Sequence, residues 1–332
     1  FRNAPYAGAM VPTRELDNEL LAVRAAELYY EENKTQEEIG SLLRITRWKV
    51  GRLLSEARES GIIKIEIVHP RARRLAMEHE LNERFGFDAS VVVPRERDDV
   101  ELSDRVAFAA ADYLVGMRPR THRLGVSWGK TLHLVAQALP MGWGQEVSVV
   151  QVNGGVSHSS SPGQAAATAT MIAHKAQGNA TLLPTPAIME QEETKRALES
   201  DRSISAVLDL ASAADTYLFS AGPASATSIH VQSGYIHAAD VASLQRKGAV
   251  GDVLGRYITS EGKIADEELD RRTLGLGLEH LRQAQRSIAV LSGVEKHPVA
   301  LAIATHGLAT VMITDEDTAA YLVAHHRERH DS

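Results

Sequence analysis

Cysteine is absent from the 332-residue chain, which excludes disulfides, thiolate metal sites and cysteine nucleophiles together and fits a reducing cytoplasm. No apolar run approaches the ~20 residues needed to cross a bilayer, and no charged-then-apolar leader opens the sequence. A cytoplasmic protein without membrane contact is therefore expected. There is no fixed-period repeat and no low-complexity tract. A positive net charge is lacking too: −7 argues against a surface coated in positive potential. The opening FRNAPYAGAM shows no periodicity, so residues 1–12 are expected to be disordered or a remnant of expression. What remains has an ordinary 44% hydrophobic content and enough length for two domains.

The mean charge hides an asymmetry. Between Arg44 and Arg74 nine Lys/Arg stand against three Glu, a local +6, whereas residues 76–332 carry 23 basic and 32 acidic side chains, a net −9. The basic window is a candidate for binding a polyanion. Just before it, Leu16, Leu20, Val23, Ala26/Glu27 and Tyr30 recur near helical spacing and predict an amphipathic helix over 16–30. Thr35 and Glu38 form a capping box for a short helix burying Ile39, Leu42 and Leu43. Thr46 caps a second helix with Val50, Leu53, Leu54 and Ala57 facing inward, ending at Gly61.

Three helices with a tight turn between the last two make a helix-turn-helix, whose base contacts lie at the start of the second member. That start reads Thr46, Arg47, Trp48, Lys49, with Arg52 one turn later: donors for phosphates and guanine edges. With Thr35, these are the candidate DNA-binding residues. A solvated basic hairpin is the plainer alternative, but capping box, spacing and charge coincide here. Trp48 suits either a groove-facing ring or an anchor on the first helix. IIKIEIV (62–68) alternates like a short strand and suggests a wing, giving a winged helix-turn-helix domain over 13–70.

RRLAMEHELNERFG (73–86) places Leu75, Met77/Glu78, Leu81 and Phe85 on one side of a helix, expected as a linker within 71–88. From 89 to 328 short apolar runs alternate with helical patterns at 98–116, 130–139 and 162–177, as expected of a Rossmann-like, doubly wound parallel sheet with helices on both faces. Ligands in such sheets sit outside the carboxyl ends of strands. Four of those ends are rich in small polar residues: GVSWGKT, NGGVSHSSSPGQ, SAGPASATS and SGVEKHP. Backbone N–H groups, hydroxyls and helix N-termini gathered there would suit an oxyanion or a sugar phosphate. No one Gly/Ser loop carries that reading; the number of them does.

GVSWGKT itself fits three chemistries. Gly125, Ser127 and Gly129 spell a nucleophile elbow, and Gly129, Lys130 and Thr131 resemble the end of a phosphate loop. A nucleotide loop would need four residues between its first Gly and the Gly-Lys, and here there are three. A hydrolase would need an acid and then a histidine at later strand ends, but Asp215 opens a strand, and His297 and His306 have no acid in recognisable order. A phosphate cradle is the better account of Ser127, Gly129, Lys130 and Thr131. The terminal HHRERH could bind a metal adventitiously but reads as a solvated tail, so neither a metal nor a cofactor is expected.

Residues 13–325 as a whole resemble the SorC/DeoR-type sugar-binding transcriptional regulators. The resemblance is carried by TQEEIGSLLRITRWKVGRLLSEARESGIIKIEI, GVSWGKT, VVQVNGG, GAVGDVLGRYITSEGKI and SGVEKHPVALAIATHGLATVMITDEDTA, in that order. It implies a winged DNA reader joined to a sensor of the sugar-phosphate isomerase/deaminase fold that binds a phosphorylated sugar or polyol without turning it over. Operator DNA and further copies of the chain, as a dimer or tetramer, are the implied partners. The implied effector contacts are Ser127, Trp128, Gly129, Lys130, Thr131, Asn153, Gly154, Gln164, Asp252 and Lys296. Asp252 would accept sugar hydroxyls and Lys296 would reach a phosphate. Asn153 stands where relatives often have a basic residue, which removes a charge contact and any lysine able to form a Schiff base there. AGPASATS departs from the family's Gly-rich loop, putting contacts at Gly222 and Ser225 in doubt, and Gly51 replaces a more usual hydroxyl residue in the reading helix. The rival reading is an isomerase or deaminase with an appended helical domain, for which Asp252 is the defensible base, one without an evident partner.

Overall fold

The structure, a computed structural model, describes residues 13–63, 72–96, 98–155, 164–226 and 228–326, with the backbone only for 13–17 and 164. The expected wing lies largely outside these residues, as do 156–163 of the loop after VVQV and most of the HHRERH tail. The chain divides between residues 68 and 69 into two compact units.

The smaller unit holds α1 (Thr13–Tyr30), α2 (Gln36–Leu43) and α3 (Arg47–Glu59). Thr35 starts α2 through a complete capping box: its hydroxyl accepts from the Glu38 amide at 3.3 Å, and its own amide donates to the Glu38 carboxylate at 2.8 Å. Arg44 closes α2 in the left-handed conformation (φ 56°), and two residues later Thr46 caps α3, its Oγ1 accepting from the Lys49 amide at 3.2 Å. The turn is short because both of its ends are capped locally. Ala22, Ala25 and Leu28 of α1, Ile39 of α2, and Val50, Leu53, Leu54 and Ala57 of α3 form the core.

Two helices turn other residues inward than their spacing suggests. The inward face of α1 is not the 20/23/30 stripe: Leu20 is 66% exposed, and Val23 and Tyr30 also face solvent. Small Ala22 and Ala25 let α3 approach closely, so the bulkier stripe is left outside. Leu42 is likewise exposed at 59%, since a two-turn helix presents one narrow face and Ile39 fills it. As expected, Val50, Leu53, Leu54 and Ala57 are buried.

The larger unit is built on seven strands, β1 (Ala89–Val93), β2 (Arg123–Val126), β3 (Ser148–Gln151), β4 (Ala180–Thr181), β5 (Thr216–Phe219), β9 (Ser287–Val290) and β10 (Val311–Asp315). Between β5 and β9 come β6 (Ala221–Pro223), β7 (Ala249–Val253) and β8 (Arg256–Thr259), which form a separate antiparallel sheet. The main sheet runs β1-β10-β9-β5-β2-β3-β4 with every pair parallel. Its strands are apolar at consecutive positions because both faces are covered. Leu218, Ile288 and Val290 enter one core with Val106, Leu132 and Ile172; Tyr217, Phe219 and Ala289 enter the other with Leu81, Val299 and Ile303. The first core is roofed by α5 (Asp99–Gly116), α6 (Lys130–Ala138) and α7 (Gln164–Lys175). The helix 75–85, α4, lies within the larger unit: Leu81 is fully buried, while Glu78 takes Arg73 at 2.6 and 2.7 Å and the Val92 amide at 2.9 Å. Leu75, expected on its inner side, is 68% exposed.

After β2 the chain winds toward β3 and β4, and after β5 it winds the other way toward β9 and β10. The reversal falls between adjacent β2 and β5, where a crevice opens outside the carboxyl ends.

Candidate effector and DNA sites

At that crevice lies a cavity of about 330 Å³. Four strand ends reach it: Ser127–Thr131 after β2, Asn153 after β3, Ser220–Pro223 around the end of β5, and Glu295–Lys296 after β9. The small antiparallel sheet supplies Asp252, Leu254 and Gly255, and the short helix after Ser228 supplies His230.

Gly129 is the N-cap of α6 at φ 145°, a conformation that favours glycine, and it turns the chain so that α6 begins at the cavity. Lys130 and Thr131 follow in the first turn. Lys296 reaches across from the β9 loop and donates to Thr131 Oγ1 at 3.3 Å. Burial pushes its ammonium below the ordinary lysine range, against the pull of Asp252 and Glu295. The loop carrying it is tied down by Asp315, whose carboxylate accepts from the Gly293 amide at 3.0 Å. Trp128 donates from Nε1 to the Gly154 carbonyl at 2.7 Å, joining the β2 and β3 loops.

A buried acid–histidine pair lines the same cavity. His230 Nε2 lies 3.1 Å from Asp252 Oδ2, which also accepts from the Gly255 amide at 3.2 Å. Both side chains are buried, and among the described residues Asp252 Oδ1 and His230 Nδ1 have no hydrogen-bond partner. The rings of Trp128, Tyr235 and Tyr257 stand about 6 Å from the imidazole, centroid to centroid. Asp252 thus has the partner that sequence reasoning did not find. Gly222, doubted at the sequence level, also lines the cavity, so close to Asp252 that a Cβ would lie 2.4 Å from Oδ1.

Eight expected effector residues converge on this cavity: Ser127, Trp128, Gly129, Lys130, Thr131, Asn153, Asp252 and Lys296. Gly154 is set back, because its Cα faces the Pro186 carbonyl, 2.0 Å from where a Cβ would be. The Gln164 side chain lies outside the described residues. The nucleophile-elbow geometry is not assembled among the described residues: Ser127 follows a strand and the cavity holds a His–Asp pair, but no described hydroxyl is bonded to His230 Nδ1. Gly125 serves packing, since a Cβ there would sit 2.6 Å from the Tyr217 ring.

In the smaller unit, Thr46, Arg47, Trp48 and Arg52 are exposed and Lys49 is half-buried at the start of α3. Trp48 is 89% exposed, which removes the alternative of an anchor against α1. Arg52 meets Glu56 at 3.3 Å in an exposed pair of the weak, easily exchanged kind. Thr35 is also exposed, its hydroxyl occupied by the capping box.

A family model described as a sugar-binding domain matches residues 69–324. The chain is 32% identical over 308 residues to the deoxyribonucleoside regulator of Bacillus subtilis (strain 168), covering 92% of this chain and 98% of that one. It is 30% identical over 315 residues to the transcriptional regulator LsrR of Enterobacter sp. (strain 638), covering 93% and 94%. Among solved structures it is similar to a DeoR family transcriptional regulator from Listeria monocytogenes (26% identity, TM-score 0.68, 75% of this chain and 98% of that one). It shares the fold of the full-length sorbitol operon regulator SorC from Klebsiella pneumoniae (24% identity, TM-score 0.69, 92% and 99%). All four are named as regulators, not enzymes.

Proposed function

The chain belongs to the SorC/DeoR-type family of sugar-binding transcriptional regulators, and we propose that its effector is a phosphorylated sugar or polyol held without covalent chemistry in the cavity between β2 and β5. The observation that supports this reading is the gathering of four strand-end loops around one cavity, with two lysines, the start of α6, and the carboxylates of Asp252 and Glu295 in its lining. Ser127, Gly129, Lys130, Thr131 and Lys296 would take the phosphate; Asp252 would take sugar hydroxyls, with Trp128 and Asn153 as walls. The exposed start of α3 would read a pseudo-palindromic operator through Arg47, Trp48, Lys49 and Arg52, with paired copies of the chain and Thr35 and Thr46 at the backbone. Action in the cytoplasm follows from contact with operator DNA; among the described residues no helix is long and apolar enough to cross a membrane.

The test uses duplexes selected by the full chain from a random pool. Phosphorylated members of a sugar panel should change duplex affinity while the free sugars do not. Arg47→Ala and Arg52→Ala should each weaken binding and lower the salt slope by about 1. Unaltered binding in both would move the reading helix elsewhere. The His230–Asp252 pair supplies what the isomerase or deaminase reading lacked, so the same panel is assayed for turnover; a multiple-turnover product would replace sensing with catalysis.

A further inference from the structure

We infer that Trp48 reads a thymine: its indole meets the C5-methyl group of one thymine in each operator half-site, so that an A·T pair is preferred over G·C at that position. This rests on the reading of α3 as the helix that enters the DNA groove, and it adds the base feature that one residue recognises.

The chain has three tryptophans, and the protein itself accommodates two of them. Trp143 is buried and donates from Nε1 to the Ile172 carbonyl at 3.0 Å, and Trp128 is half-buried and bonded to the Gly154 carbonyl. Trp48 is 89% exposed, and among the described residues it stacks on no other ring and makes no hydrogen bond. An indole carries a large apolar surface, so leaving one in water forgoes burial that a bound partner would recover.

Its place on α3 says which surface of that partner it meets. Val50, Leu53, Leu54 and Ala57 form the inner side of the helix, and at about 100° per residue Trp48 projects from the opposite side. Arg47 and Lys49 lie to either side of it, and Arg52 follows one turn later in the same outward row. With the inner side seated on the core, the outward row is the part of α3 that goes deepest into a major groove, while the flanking cations turn toward the phosphate walls. Thr46 Oγ1 is engaged in its cap and Arg52 in its pair with Glu56. The indole offers a base edge no acceptor, one N–H and a broad apolar face. The major-groove feature that matches such a face is the thymine methyl, which cytosine lacks.

Duplexes are selected from a random pool by the full chain and by full-length Trp48→Ala and Trp48→Phe variants, whose helical content is checked by circular dichroism. The wild type should enrich an A·T pair at one fixed position in each half-site, and Trp48→Ala should lose that preference while keeping the wild-type salt slope. In the wild-type duplex, deoxyuridine in place of that thymine removes only the methyl. The exchange in one half-site should weaken wild-type binding about four-fold, as expected for one methyl-sized group withdrawn from water. Trp48→Ala should bind both duplexes alike, and Trp48→Phe should still discriminate between them. Absence of a fixed A·T pair, equal wild-type affinity for the two duplexes, or discrimination that survives in Trp48→Ala overturns the inference. The reading of α3 still stands in those cases if Arg47→Ala weakens binding. Loss of discrimination in Trp48→Phe also overturns the inference, since the N–H rather than the apolar ring would then make the contact. A wild-type chain that enriches no duplex overturns the reading of α3 itself, and this inference with it.

Discussion

Lys296 shows how one residue ties burial to ligand chemistry. Its ammonium is held below the usual lysine range by desolvation, partly offset by Asp252 and Glu295. A pKa lowered in this way weakens the hold on the proton, and a bound phosphate counters that by favouring the charged form. Ligand binding therefore raises that pKa, and affinity should fall as pH rises through the depressed pKa of the free protein, earlier than for a solvent-exposed lysine. Lys296→Met should abolish stabilisation by a phosphorylated sugar in a melting assay and remove this alkaline limb; a Met variant with an unchanged pH profile would place the titrating group elsewhere. Lys296 and Asp252 were legible only through family resemblance, because nothing within SGVEKHP or VGD marks them as facing one cavity. His230 was not legible at all. It sits in SIHVQ with no acid beside it, and it meets Asp252 because β6 and β7 pair with Gly222 opposite Asp252. A contact made by register between two short strands leaves no local trace.

Secondary structure was readable where burial imposes a pattern. The strands of the main sheet stand out as short apolar runs because both faces are covered, and α5, α6 and α7 lie within a residue or two of their expected spans. The small sheet escaped notice: its strands are three to five residues long, and AGP and AVGDV carry glycine where alternation should show. α1 was found with the wrong face, since hydrophobicity favours Leu20 and Tyr30 while packing favours alanine. Caps were the most dependable local signal. Thr35→Ala removes both halves of the α2 capping box and should destabilise the smaller unit by about 1 kcal/mol in a denaturant titration. A loss within error would mean that packing by Ile39 alone holds the helix. Asp215 makes a comparable clasp between the starts of β2 and β5. Burial pushes its carboxyl up, but bonds from Thr121, the Arg123 amide and the His122 amide together bring it below the ordinary aspartate range. A folded pKa below the unfolded one gives stability that is present above about pH 4 and is lost as pH falls further. Asp215→Asn should lower stability at pH 7 and flatten the acid limb of the stability curve; an unaltered limb would assign acid sensitivity to other carboxylates.

For the whole molecule, the division of charge separates two dependences on salt. Within the smaller unit the stretch from Arg44 to Val68 holds six Lys/Arg against three Glu, a net +3, while residues 76–332 hold −9, so counterion release on duplex binding should arise from that stretch, and the acidic remainder should oppose DNA rather than grip it. A phosphate among Lys130, Lys296 and the start of α6 would be shielded from bulk ions by its walls, and its affinity should depend far less on salt. Linkage then sets a condition that neither unit can evade. If a saturating sugar phosphate changes duplex affinity by some factor, saturating duplex must change sugar-phosphate affinity by the same factor, at any one salt concentration. Both factors can be measured by titrating the full chain with each ligand in the presence of the other. Lys296→Met should bring both to one without altering the salt slope for duplex, and Arg47→Ala should lower the slope and leave sugar-phosphate affinity of the free protein unchanged. Unequal factors in the wild-type chain would mean that a third equilibrium intervenes, such as a change in the number of copies assembled on the duplex, and that ligand and DNA are coupled through assembly rather than within one protomer.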